Sequence, residues 1–225
     1  MFVGHYGPAF AAVAGRKTIP LWIAFIAVQL VDVFWAIFVL LGIEKVRIVH
    51  GITLANPLDF YYMPYTHSLV GAVAWAVTAG IVYYSFRKVD GQSAAVIVGA
   101  AVFSHWVLDW VVHRPDLPLY GNACKVGLRL WNYPAFAFLL ELGILFGGVY
   151  RYVKRTQSLS RLDRYGMVSF GSLMLVVQSI LFLGPPPPSG NAAAVAALSL
   201  YFVFAAVAYA LEKQRIVRSR ATPRT

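Results

Sequence analysis

Apolar runs about twenty residues long alternate along this chain with short stretches that collect most of its charge. Runs of that length match the roughly 20 residues a helix needs to cross the hydrocarbon core of a bilayer. Six such spans are expected, at about 20–43, 66–86, 93–112, 131–150, 167–183 and 192–211. Helix breakers fall between them: Asn56-Pro57, Met63-Pro64, Asp90-Gly91, the run His113-Arg114-Pro115-Asp116-Leu117-Pro118, and Pro185 to Pro188. Residues 1–15 are apolar but too short to span, and Gly7-Pro8 interrupts them, so they read as a half-helix or re-entrant piece. The fold class that follows is an all-α membrane protein of about six transmembrane helices plus this N-terminal segment. No linker divides residues 1–225, which are read as one domain.

Composition agrees with that pattern. Hydrophobic residues make up 60% of the 225 and charged residues 12%, with a mean hydropathy of +0.67. Soluble domains carry about twice that share of charge. A net charge of +10 would suggest nucleic acid in a soluble protein. Here the basic residues cluster in loops and the tail, as membrane orientation requires, and no nucleic-acid partner is expected. Arg16-Lys17, Arg87-Lys88, the Arg151–Arg164 stretch and the tail fall on one side, which places both termini in the cytoplasm. No charged segment precedes the first apolar residues, so no cleavable signal peptide is expected. The single cysteine, Cys124, excludes an internal disulfide and a cysteine-based metal site.

The third span breaks its own pattern. His105, Asp109 and His113 are four apart, which stacks them as a polar stripe on one helix face. An ionisable group at membrane depth costs at least a few kcal/mol unless it is compensated. A helix-tying His–Asp pair with His113 at the headgroups would satisfy the stripe alone. Depth widens the picture. At 1.5 Å per residue, Asp32 and His105 lie roughly 20 Å above the basic side, Glu141 roughly 15 Å, Asp109 roughly 27 Å and His67 roughly 28 Å. His5 reaches the height of Asp32 if residues 5–15 fold back antiparallel to the first span. The last two spans add no His, Asp or Glu to this band, so residues 1–150 form the polar half and residues 151–225 are expected to be scaffold helices and basic tail. Such imidazoles and carboxylates suit Zn²⁺, or Mn²⁺ and Fe²⁺, as one or two ions. A proton or ion relay remains open on this evidence.

Gly4-His5, an Asp inside the first span, Tyr65-Thr66-His67-Ser68-Leu69 and Ser104-His105-x-x-x-Asp109 resemble a family of bacterial integral-membrane proteins. These are the metal-dependent hydrolases of the YdjM, or LexA-binding inner-membrane-associated, type, distantly similar to zinc-dependent phospholipase C. The stretches from Asp59 to Leu69 and from His113 to Pro118 are similar to a subgroup described as membrane-bound metal-dependent hydrolases. The resemblance covers about residues 1–150. It implies His5, Asp32, His67, His105 and Asp109 as metal ligands and a location in the bacterial inner membrane. The family's Pro-Asp-x-Asp pattern is reduced here to Asp32 alone, so a further carboxylate is sought in Asp59 or Glu141.

The mechanism this implies is metal-activated water attacking an ester or phosphoester, with Glu141 or Asp59 as general base. Arg114 is placed either to clamp a phosphate or carboxylate or to anchor at the headgroups. His50 reads as a solvated loop residue, and Tyr61, Tyr62, Tyr65, Trp106 and Trp110 as an aromatic belt. A site at this depth is reached most easily from the bilayer, so a lipid or amphipathic small molecule is the expected substrate. The alternative is a metal-ion or proton transporter or channel using the same cluster; a metal-stabilised scaffold without turnover is a third reading. The oligomeric state is left open.

Overall fold

A computed structural model describes residues 1–16, 18–87, 91–160 and 164–217. Eight α-helices are present among them: α1 (Tyr6–Val13), α2 (Leu21–Val28), α3 (Leu30–Leu40), α4 (Leu69–Phe86), α5 (Gly91–Val112), α6 (Pro134–Arg155), α7 (Gly166–Leu183) and α8 (Gly190–Glu212). Helices α4 to α8 are each long and apolar enough to cross a membrane, and the pair α2 and α3 makes a sixth candidate span. This is a multi-pass α-helical membrane protein. The helix starts are set locally: Ser68 caps α4 by accepting from Gly71 N at 3.0 Å, Pro134 occupies the first turn of α6, and Ser189 caps α8.

The first span departs from the unbroken helix expected at 20–43. It bends by 53° at Gln29. The break leaves the Val28 carbonyl outside the helix ladder, and a ring nitrogen of His105 takes it at 2.8 Å. A freed backbone acceptor in a membrane helix needs such a partner, so bend and histidine explain each other. The N-terminal segment folds back as expected, with a 3₁₀ turn at Val3–His5 running into α1.

Small residues set the closest helix contacts. A Cβ at Gly148 of α6 would stand 2.7 Å from the Cα of Gly7, so α1 and α6 touch backbone to backbone. That contact seats His5 deep in the bundle. Helices α4 and α5 cross through Gly80 and Gly99, whose added Cβ atoms would lie 3.1 Å and 3.0 Å from the carbonyl oxygens of Ala95 and Ala76.

Two pieces of the polar connections are ordered in ways the sequence reading left as loop and tail. Strands β1 (Lys45–Ile48) and β2 (Leu58–Tyr62) pair antiparallel at the end away from the Arg/Lys-rich loops. Strands β3 (Thr156–Ser158) and β4 (Arg215–Val217) pair at the basic end. Both are too short for an alternating pattern to stand out.

Candidate metal centre

The bundle brings the five expected ligands together from four separate segments. His5 comes from the N-terminal turn, Asp32 from α3, His67 from the residue pair before α4, and His105 and Asp109 from successive turns of α5. The four residues other than Asp32 are at most 2% exposed. His67 Nε2 lies 3.2 Å from Asp32 Oδ1 and 3.7 Å from Asp109 Oδ2. His105 Nε2 lies 3.5 Å and 3.1 Å from the same two oxygens. Ligand bonds of about 2.0–2.2 Å in a tetrahedral site separate ligand atoms by roughly 3.4 Å. The four nitrogen–oxygen separations, 3.1 to 3.7 Å, bracket that value.

The histidine rings are held in the orientation that coordination needs. His67 Nδ1 is 2.8 Å from the Thr66 hydroxyl, which itself donates to Glu44 Oε2 at 2.5 Å. With its own proton committed to Glu44, that hydroxyl accepts from His67 Nδ1. His105 Nδ1 donates to Val28 O. In both rings the proton therefore sits on Nδ1 and the Nε2 lone pair faces the carboxylates. His105 Nε2 is buried and makes no hydrogen bond, and the atoms it faces are the Asp109 and Asp32 oxygens. Buried His/Asp groups of this kind can hold a metal ion. Two ligand groups qualify, His5–His105–Asp109 and Asp32–His67–His105, and they share His105. Because its Nδ1 is engaged, His105 offers a single atom to both.

The carboxylates are oriented as well. Tyr201 donates to Asp32 Oδ2 at 2.7 Å, leaving Oδ1 to the histidines. Asp109 Oδ1 accepts from the Met1 α-amino group at 2.6 Å and lies 3.1 Å from His5 Nε2. The His5 ring stacks on His105 at 3.9 Å between centroids. Trp106, expected only in the aromatic belt, donates its indole N–H to the His67 carbonyl at 2.9 Å.

Three expected participants are engaged by other protein groups. Asp59 is held by Arg47 at 2.7 Å and by Arg114, and joins neither ligand group. Arg114 is bound to Asp59 and Asp116, so its guanidinium is a structural clip between β2 and the loop after α5 rather than a free anion clamp. Glu141 does border the cluster, but its Oε2 accepts the backbone N–H groups of Phe2 and Gly4 at 2.8 and 3.2 Å. It fastens the N-terminal turn against α6. Neither carboxylate extends the ligand groups; Asp32 and Asp109 together are the pair.

The structure also adds residues. His113 is 2% exposed, with Nδ1 at 2.9 Å from Asp116 Oδ1 and Nε2 at 3.7 Å from Asp109 Oδ2. It points inward, not to headgroups, in the same carboxylate–imidazole arrangement. Its place as the third member of the stripe was the sequence signal. Glu44 and Tyr201 gave none, since they lie 22 and 169 residues from the side chains they hold. Helices α7 and α8, expected as scaffold, line part of the cavity onto which the cluster opens.

That cavity has a volume of about 330 Å³. Asp32, His67, Asp109, His113 and Glu141 line it together with side chains of α7 and α8. No protein-family model, curated protein or solved structure matches this chain.

Proposed function

We propose that this protein is a membrane-embedded metal-dependent hydrolase acting on a lipid-like ester or phosphoester. One observation carries the reading: two buried imidazoles, each fixed through Nδ1, lie within 3.7 Å of two oriented carboxylates beside a cavity. Asp32, His67, His105 and Asp109 would hold one ion, with His113 and His5 beside it. Mixed N/O ligation suits Zn²⁺, with Mn²⁺ or Fe²⁺ the alternatives. A divalent ion bound there supplies a Lewis acid that polarises the scissile group and acidifies water. Around it the chain's own groups have separate tasks. Tyr201 and the Thr66–Glu44 pair keep the ligands aimed, and Glu141 is the one expected base that lines the cavity. The resemblance to the bacterial membrane hydrolases supports the same assignment and a place in the inner membrane, and the Lys/Arg bias supports cytoplasmic termini.

A transporter would need the polar path to continue to the basic side. Instead Tyr6, Phe10, Phe25, Phe170 and Phe204 pack there with centroids 4.6 to 5.8 Å apart, and all are buried. A polar pocket closed at one end by aromatic rings favours an enzyme.

The test is metal analysis of detergent-purified protein, wild type beside His105→Ala and His67→Ala, followed by a screen of lipid esters and phosphoesters. About one equivalent of zinc, manganese or iron in the wild type, lost in both variants, together with hydrolysis that follows the metal, is the expected result. A metal-free wild type would remove the basis of the reading.

A further inference from the structure

The cavity is not symmetric about the His/Asp cluster, and its apolar end has a specific architecture. On α8, Ala193, Ala196, Ala197, Leu200 and Tyr201 recur at helical spacing and all line the cavity. The stripe begins with three alanines near the proline turn and ends at the tyrosine that holds Asp32. Ala193 and Tyr201 are eight residues apart, a rise of about 12 Å. Leu181 and Phe182 of α7 form the facing wall.

The two helices meet near the basic side of this wall. There Phe170 of α7 and Phe204 of α8 pack edge to face at 5.8 Å. At the other end, Phe182 packs on Phe138 of α6, at 5.4 Å, and the cavity lies between α7 and α8. Leu181 and Ala196 are both exposed while lining it, so the gap opens sideways at the depth of the apolar spans. Alanines of α8 and Leu181 and Phe182 of α7, with the amide of Gln178, leave a slot to which these two helices contribute no ionic group. Its inner end is the ligand cluster.

We infer that this slot seats one alkyl chain of a bilayer lipid, which enters laterally between α7 and α8 with its ester or phosphoester directed to the cluster. The inference rests on the hydrolase reading for the orientation of the headgroup. The occupant follows from the page: the slot is apolar, about 12 Å long by the α8 rise, open where acyl chains surround the protein, and continuous with a polar end. A water-soluble substrate would gain nothing from the apolar arm.

The test is photo-crosslinking in nanodiscs of phosphatidylcholine doped with the same lipid carrying a diazirine midway along one acyl chain, with adducts mapped by mass spectrometry. Adducts are expected on the slot face at Leu181, Phe182, Ala196 and Ala197, exceeding those on the outward residues Leu173, Val176 and Ile180. Ala197→Phe and, separately, Ala193→Phe should lower slot adducts by about tenfold or more, as expected for displacing two or more buried methylenes. Both variants should keep the wild-type metal content. Labelling of the outer faces alone, or slot labelling indifferent to both variants, would overturn the inference. The two readings fail separately: absent metal with intact slot labelling sinks the hydrolase, while bound metal with surface labelling alone sinks the slot.

Discussion

The hydroxyl of Tyr201 donates to Asp32 Oδ2 at 2.7 Å, tying the last helix to the first carboxylate of the cluster. Removing it leaves Asp32 free to rotate away from the imidazoles. Groups that orient a metal ligand change affinity by roughly 10- to 100-fold when lost. Tyr201→Phe should therefore weaken metal binding by about tenfold with little change in fold. A chelator-competition titration measures it, and unchanged affinity would show that Asp32 needs no such partner.

His113 and Asp116 should behave as a unit. Asp116→Asn weakens the acceptor that fixes the His113 ring, and it also loosens Arg114, whose Nε is 3.1 Å from the same carboxylate. His113→Ala and Asp116→Asn are expected to lower metal affinity or turnover to similar extents, and the double variant to cost little more than either alone. Additive losses would mean the two residues act separately.

Glu141 combines two tasks that a conservative change can separate. In Glu141→Gln the amide oxygen still accepts from Phe2 and Gly4, so the fold and the metal should persist. If Glu141 is the base, turnover should fall by about 10² to 10⁴. Glu141→Leu strands two backbone N–H groups in the interior and should lower stability by about 2–6 kcal/mol, at about 1–3 kcal/mol each. Thermal unfolding in detergent and steady-state rates distinguish the two effects.

Helix α1 reaches its position only because Gly7 and Gly148 let the backbones touch. Gly148→Val should push α1 from α6, withdraw His5 and destabilise the protein. Gly143→Ala on the same helix meets no neighbouring atom within 4 Å and should be neutral. Equal melting temperatures for the two variants would contradict the close packing.

How legible all this was varies with the kind of interaction. Span number and place could be read directly, because bilayer thickness fixes how many apolar residues a helix must offer. The stripe of His105, Asp109 and His113 could also be read, since helical periodicity puts residues four apart on one face whatever surrounds them. Depth along a span even predicted that His5, Asp32 and His67 would share its level. Periodicity says nothing, however, of what faces a side chain across the bundle. Asp59 and Glu141 were equally plausible as carboxylates near the site. Packing gave one to two arginines and the other to the N-terminal backbone. Arg114 looked free because Asp59, 55 residues before it, could not be seen to meet it.

By itself the sequence determined an apolar bundle of five or six spans, its basic and less basic ends, and a band of ionisable residues too costly to leave unpaired. Tertiary structure alone decided which nitrogen of each histidine is committed and which faces inward. It bent the first span at Gln29 so that Val28 could meet His105, and brought Tyr201 to Asp32. It also opened the apolar slot between α7 and α8. The division has one physical cause: hydrophobic burial and helix pitch act along the chain, whereas the contacts of Val28 with His105, Glu44 with Thr66 and Tyr201 with Asp32 join residues 77, 22 and 169 positions apart.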